Sequence, residues 1–177
     1  MTPGGFDALF DSFRTTVFRL ESLPSYDVGG SDAERIAAFR EGGPIPERSV
    51  RTSPWLARLA VATVAGKRWE RVRVVDEPLT EYQRYELLAY QESQAAGEEI
   101  RVVTRSCAAA DWGSDFWLFD PGVSEARAVA MDYAPDGRWL GAALITDLET
   151  VRGLAKIRLA ARSAAVPLNE FLVSGDV

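Results

Sequence analysis

The residues with the most chemical capacity in this 177-residue chain gather in one run, DEPLTEYQRYE, at positions 76–86. Its carboxylates could move a proton, its tyrosines could donate hydrogen bonds, and Arg84 could fork onto a carboxylate or phosphate. Glu77, Tyr82, Arg84 and Tyr85 are the candidate ligand contacts within it. Thr80 with Gln83 reads as a capping box, which places the run where a strand passes into a helix. Free N–H groups at a helix start suit an anion, and ligands of α/β sheets settle beyond the carboxyl ends of strands. The competing reading is structural: Thr80 caps, the tyrosines pack, and Glu81 pairs with Arg84 on the surface.

A second cluster, DFWLFD at 115–120, adds Asp115 and Trp117 to the candidate ligand contacts. Period two sends Phe116 and Leu118 to one side and Trp117 and Phe119 to the other, so both faces are apolar and a central strand is predicted. Five steps of about 3.3 Å put the two aspartates roughly 16 Å apart. Glycosidase carboxylate pairs need roughly 5–9.5 Å, so these two cannot work as a pair. Asp120, before Pro121 and Gly122, reads as a turn residue. One aspartate could instead serve with Glu77 or Arg84.

Composition removes several chemistries. The chain has no histidine, which excludes Ser-His-Asp and Cys-His nucleophiles and histidine-held metals. Cys107 is the only cysteine, so there is no internal disulfide or cysteine zinc cluster, and a small buried residue is expected there. Lys67 and Lys156 are the only lysines, so lysine chemistry is not expected. No cofactor or metal is predicted, and the balance leans away from an enzyme. The net charge of -6 disfavours direct nucleic-acid or membrane-surface binding. No window approaches the roughly 18 apolar residues of a span, and the amino end lacks a secretory pattern, which predicts a cytoplasmic protein. The exception to the acidic balance is the last long helix, where Arg152, Lys156, Arg158 and Arg162 form a candidate partner-binding face. Alternatively, their stems cover core and their heads meet surface carboxylates.

The elements that would position these groups follow from periodicity. Residues 1–52 read as an introductory helix, strand and helix layer, with Phe6, Leu9, Phe10 and Phe13 as core, Val17–Leu20 as a strand, and Ser31 with Glu34 as a capping box. The loop 42–53 leads to Ser53 and Pro54, which start a helix presenting Trp55, Leu56, Leu59, Ala60 and Val64. RWERVRVVDE alternates, setting Trp69, Val72 and Val74 against Arg71 and Arg73. A helix from Glu81 to Ala96, presenting Tyr82, Tyr85, Leu88 and Ala89, and the strand EIRVVTR then complete a parallel β-α-β unit. DFWLFD, ARAVAMDY and RWLGAALIT make a meander, with Pro135–Gly137 turning a hairpin. Thr146 with Glu149 opens the long helix that Pro167 stops. Trp112, Trp117 and Trp139 could stack on a planar ligand, although tryptophans in a strand-rich segment more often pack. The prediction is one α/β (α+β) domain over 1–177, with residues 53–177 as the core mixed sheet and carboxyl-terminal helix.

RVRVVDEPLTEYQRYELLAYQ, GEEIRVV, DFWLFD and AAVPLNEFL resemble an actinobacterial family of uncharacterised proteins, often encoded beside helix-turn-helix regulators. The resemblance runs from about Phe6 to Leu172. The order of strand, helix, strand, FWLFD strand, hairpin and long helix is also similar to phospholipase-D-like domains used as sensors in transcription regulators. Active members of that superfamily use a histidine-lysine motif that this chain lacks, so the likeness implies a binding role. The expectation is a non-catalytic regulatory or adaptor protein acting through a partner such as a helix-turn-helix regulator. The alternatives are a sensor of a small anionic or nucleotide-like ligand in the crevice near Glu77 and Arg84, or a carboxylate-dependent enzyme.

Overall fold

The computed structural model describes residues 1–174. Helix α1 (Pro3–Ser12) and the fully buried strand β1 (Thr16–Glu21) are followed by α2 (Gly30–Arg40) and α3 (Pro54–Val64). The crossover unit is β2 (Arg68–Val75), α4 (Glu81–Ala95) and β3 (Glu98–Thr104). A short 3-10 turn at Ala110–Trp112 leads to β4 (Phe116–Phe119), β5 (Arg127–Tyr133) and β6 (Trp139–Ile145). Helix α5 (Leu148–Ala164), the two-residue β7 (Val166–Pro167) and α6 (Leu168–Ser174) close the described chain.

The strands form one seven-stranded mixed sheet in the order β6-β5-β4-β1-β2-β3-β7. β1, β2 and β3 run parallel, and β4, β5 and β6 form the expected antiparallel meander. Helices pack on both faces. On one face Phe10 of α1 and Leu56 and Leu59 of α3 meet Trp69, Trp117 and Phe119. On the other, Val151 and Ala161 of α5 cover Phe18, Leu20, Val72, Leu118 and Ala128. Short-range signals explain the elements: Ser53 caps α3 ahead of Pro54, and Thr80 and Gln83 form the predicted reciprocal capping box.

The expectations fail where the decisive contact is not local. β1, read as part of an introductory layer, lies in the middle of the sheet between β2 and β4. Ser31 is not a cap: α2 starts earlier, through Gly29 and Gly30, whose φ of 60° suits glycine. Asp147 replaces Thr146 as the cap of α5, accepting from the Thr150 backbone at 2.8 Å, since a carboxylate gains more from the helix dipole than a hydroxyl. Val64 is exposed and Ala62 buried, because a stripe through Leu56, Leu59 and Ala62 leaves Val64 about 200° around the helix from Ala62. On α4 the core residue is Leu87, against Val75, Ile100 and Leu168, while Leu88 faces out. Cys107, expected to be buried, is exposed in the turn after β3. Trp112 and Trp117 pack as expected, whereas Trp139 sits half exposed on the edge strand β6.

Candidate functional site

The site begins with strand parity. In the parallel β1–β2 pair, Val17 stands beside Trp69, Arg19 beside Arg71 and Glu21 beside Arg73, so all six side chains share one face. β4 sets Trp117 opposite Arg19, and β3 sets Glu98 beside Trp69 and Ile100 beside Arg71. Trp69 therefore shares its face with the arginines of β2, which corrects the expected split. Those arginines are buried: Arg71 and Arg73 are 7% and 0% exposed, and Arg19 of β1 is 2% exposed. One half of this face is aromatic core, and the half toward the carboxyl ends of β1 and β2 is charged.

Each buried guanidinium is held by carboxylates. Arg19 Nε lies 3.3 Å from Glu21 Oε1, and its Nη2 donates to Asp115 at 2.9 Å and to the Tyr133 hydroxyl at 3.3 Å. Arg71 meets Glu21 Oε2 through Nη1 at 2.6 Å and Glu98 Oε1 through Nε at 2.8 Å. Arg73 donates from Nε to Glu86 Oε2 at 2.5 Å and from Nη1 to the Val74 carbonyl at 3.0 Å. The hydroxyls of Tyr90 and Tyr26 donate to Glu21 and Asp115. Aromatic faces complete the shell: the Arg71 guanidinium is 5.1 Å from the Tyr90 centroid and 5.8 Å from that of Trp117.

Burial alone would raise every carboxyl here, since it penalises the charged form. For Glu21 the guanidiniums of Arg71, Arg19 and Arg73 outweigh burial and hold its carboxyl well below the usual range. Glu86 and Glu98 have fewer cations around them, and burial wins in both, pushing their carboxyls up against the pull of Arg73 and Arg71 respectively. Two kinds of carboxyl thus stand side by side: three guanidiniums hold Glu21 low, and burial holds Glu86 and Glu98 above their ordinary value.

Above this network lies a cavity of about 470 Å³. Arg71, Glu21 and Trp117 form its floor, and α4 supplies Tyr82, Tyr85, Glu86, Tyr90 and Ser93 as one wall. Ser53 to Trp55 at the start of α3, Ser31 and Asp32 at the start of α2, and Arg48 complete the rim. Arg48 and Arg35 both clamp Glu92 of α4, at 2.8 and 2.6 Å, so the loop 42–53 and α2 are tied down over the cavity. Three buried residues of the lining have a polar atom that makes no hydrogen bond to protein among the described residues, Arg71 Nη2, Glu86 Oε1 and the Ser93 hydroxyl, and none of these atoms is sealed in the core as Arg73 Nη2 and Glu98 Oε2 are.

The predicted site residues divide. Tyr82, Tyr85 and Trp117 come together in the cavity lining. Asp115 lies beneath it, its oxygens engaged by Arg19, the Ser22 backbone and hydroxyl, and Tyr26. Glu77 and Arg84 are exposed elsewhere: Glu77 accepts from the Ser106 hydroxyl at 2.6 Å, and Arg84 donates to the Leu79 carbonyl at 3.1 Å. Beyond the strand ends, Arg105 ties Asp76 to the Ser22 carbonyl at 2.5 and 2.6 Å. The open space therefore lies along the flank of α4 rather than at its amino end. On α5, Arg158 grips Glu70 of β2 with two hydrogen bonds of 2.7 and 2.9 Å, and Arg162 donates to Glu99 at 2.8 Å. Those two fasten α5 to the sheet, leaving Arg152 and Lys156 exposed. Among the described residues no group of three or more His, Cys, Asp or Glu could hold a metal ion. No helix among them is long and apolar enough to cross a membrane.

Sequence reasoning passed over Arg19, Glu21, Arg71, Arg73, Glu86, Tyr90, Ser93 and Glu98. The signal was present in two forms. Charges recur at spacing two inside the otherwise apolar strands FRLE and RVRV, and Tyr82, Glu86, Tyr90 and Ser93 recur at three or four residues along one side of α4.

The fold and this geometry define a single-domain α/β protein with a buried arginine–carboxylate network beneath a polar, aromatic-walled cavity. Residues 4–173 match the model of a family described as Domain of unknown function (DUF6879), and the chain belongs to that family. No curated protein matches it.

Proposed function

We propose that this is a cytoplasmic, non-catalytic regulatory protein that binds a small molecule in the cavity over Arg71 and signals occupancy to a protein partner. A helix-turn-helix regulator is the partner suggested by the actinobacterial setting that the sequence resembles. The observation that supports this reading is the set of unused polar atoms on Arg71, Glu86 and Ser93 inside one cavity. A cavity of this size with a few convergent polar groups open to it suits a metabolite. The route to a partner is the rim. Ligand contacts at Ser31, Asp32 and Arg48 would change how α2 and the loop 42–53 sit on α4, and both are surface elements.

The test is a thermal-shift screen of metabolites spanning anions, cations, zwitterions and nucleotides. At a concentration one hundred times Kd a ligand adds about 2.7 kcal/mol, which is several degrees for a chain of this size. The shift should vanish in Ser93→Phe, which fills the cavity. Absence of a hit in every class, or a shift that survives Ser93→Phe, counts against the cavity. Co-purification with a neighbouring regulator, altered by the hit compound, tests the second half.

A further inference from the structure

The cavity's charge balance narrows its ligand, an inference that rests on the cavity reading above. Two cationic side chains line the space, and both are already paired: Arg71 with Glu21 and Glu98, Arg48 with Glu92 and Asp32. Three carboxylates line it, Glu21, Asp32 and Glu86. Glu21 is saturated by Arg19, Arg71 and Tyr90, but Glu86 spends only Oε2, on Arg73. A carboxylate acceptor is thus open to the cavity, whereas each guanidinium there is already neutralised by two carboxylate partners. The walls add Trp55, Tyr82 and Tyr85, whose ring faces favour a cation and resist an anion. A phosphate or carboxylate entering here would meet a lining with more negative than positive groups.

We propose that the ligand is an organic cation: an amine whose ammonium sits at Glu86 Oε1, with a flat or apolar body between Trp55 and the tyrosines of α4. The Ser93 hydroxyl and Arg71 Nη2 supply further donors for a carbonyl or hydroxyl on the same molecule. This differs from the anionic ligand that DEPLTEYQRYE suggests as a sequence. The helix amino end and Arg84, which would take an anion, lie outside the cavity.

Three probes of equal ring and chain length separate the charge classes by isothermal titration calorimetry: phenethylamine, 2-phenylethanol and phenylacetate. Phenethylamine should bind at least about tenfold more tightly than phenylacetate, a difference of about 1.4 kcal/mol. Glu86→Gln should weaken phenethylamine by about tenfold or more and change 2-phenylethanol less than twofold. Equal or tighter binding of phenylacetate overturns the cation assignment, as does a Glu86→Gln protein that binds the amine unchanged. The probe series on the unaltered protein stands even if the variant fails to fold. Binding of none of the three overturns this inference. A hit from another chemical class in the thermal screen, lost in Ser93→Phe, would then keep the cavity reading alone.

Discussion

Replacing Arg71 with methionine probes the network at the point where its energetics are easiest to separate. The substitution keeps an unbranched apolar stem in the gap between Tyr90 and Trp117 and removes the charge. Glu21 retains Arg19 and the Tyr90 hydroxyl, but Glu98, 2% exposed, loses the guanidinium that neutralises it. Breaking a buried pair in this way costs about 3–5 kcal/mol, most of it the burial of the abandoned charge. Glu98→Gln removes that charge, so the double variant should be more stable than the sum of the two singles by about 1–3 kcal/mol. A pH signature accompanies it. Glu98 faces Arg71 of β2, Glu21 of β1 and Arg48 of the loop, and burial already raises its carboxyl above the unfolded value of 4.5. Without Arg71 it rises further. A carboxyl raised in the folded state binds a proton more tightly there, so stability is greatest at or below the unfolded pKa. It falls by about 1.4 kcal/mol per pH unit as pH climbs from the unfolded toward the folded value. Urea unfolding followed by tryptophan fluorescence at pH 5, 6.5 and 8 should show a larger loss for Arg71→Met at pH 8 than at pH 5. Glu98→Gln should flatten that difference. Equal losses at every pH, with Glu98→Gln adding its own cost in full, would refute the assignment of the charge to Glu98.

Asp120 offers a second test. Its carboxylate accepts from the backbone N–H groups of Arg14, Thr15 and Thr16 at 2.8, 2.7 and 3.2 Å, and its φ is 51°. Asp120→Asn should cost about 1–2 kcal/mol and Asp120→Ala about 3–4 by chemical denaturation, with Asp120→Gly between them because glycine relieves the backbone. These N–H bonds outweigh burial and hold the Asp120 carboxyl low, so its contribution is present above the unfolded value of 3.8 and lost as pH falls through the lower folded one. Asp120→Asn should therefore lose less stability on acidification than the parent. On α5, Arg158→Met should cost about 2–4 kcal/mol by leaving Glu70 buried, whereas Arg152→Ala and Lys156→Ala should stay within about 0.5 kcal/mol. Gly97→Ala should be severely destabilising in a melting scan, because the new Cβ would lie 2.3 Å from the Thr63 hydroxyl at a φ of 108°. Thr63→Gly in the same chain should recover the steric part and leave the backbone part.

Much of the fold was legible because its signals are local. The capping box at Thr80 and Gln83, the glycine after α4 and the turn at Pro135–Gly137 each act within a few residues, and β2–α4–β3 and the hairpin emerge from them. The candidate site was half legible for the opposite reason. Tyr82, Tyr85 and Trp117 were singled out as aromatic residues beside polar ones, and they line the cavity. Glu77 and Arg84 were singled out for their chemical type, which says nothing of direction: on α4, Arg84 lies about 200° around from Glu86. The arginines of β2 read only as the charged parity of an alternating strand, and arginine is seldom buried without partners. The partners that bury them are Glu21 on β1, Glu86 on α4 and Glu98 on β3, and pairing across strands is invisible until the strand order is known.

The two aspartates of DFWLFD show how that order is enforced. They stand at opposite ends of β4, and each holds the matching end of β1: Asp120 takes the backbone entering it at Arg14–Thr16, and Asp115 takes the backbone leaving it at Ser22. A strand anchored at both ends cannot slide past its neighbour. A slip of one residue would send Arg19 and Glu21 to the face packed by α5 and bring Phe18 and Leu20 among the guanidiniums of β2. The charged groups balance only in the observed register, with Glu21 between Arg19 and Arg71, so the ion pairs on one face, the apolar packing of Phe18 and Leu20 on the other and the two aspartate anchors all favour the same alignment. The carboxylates that first suggest catalysis therefore work at a distance. They fix β1 beside β2, and that placement assembles the floor of the cavity.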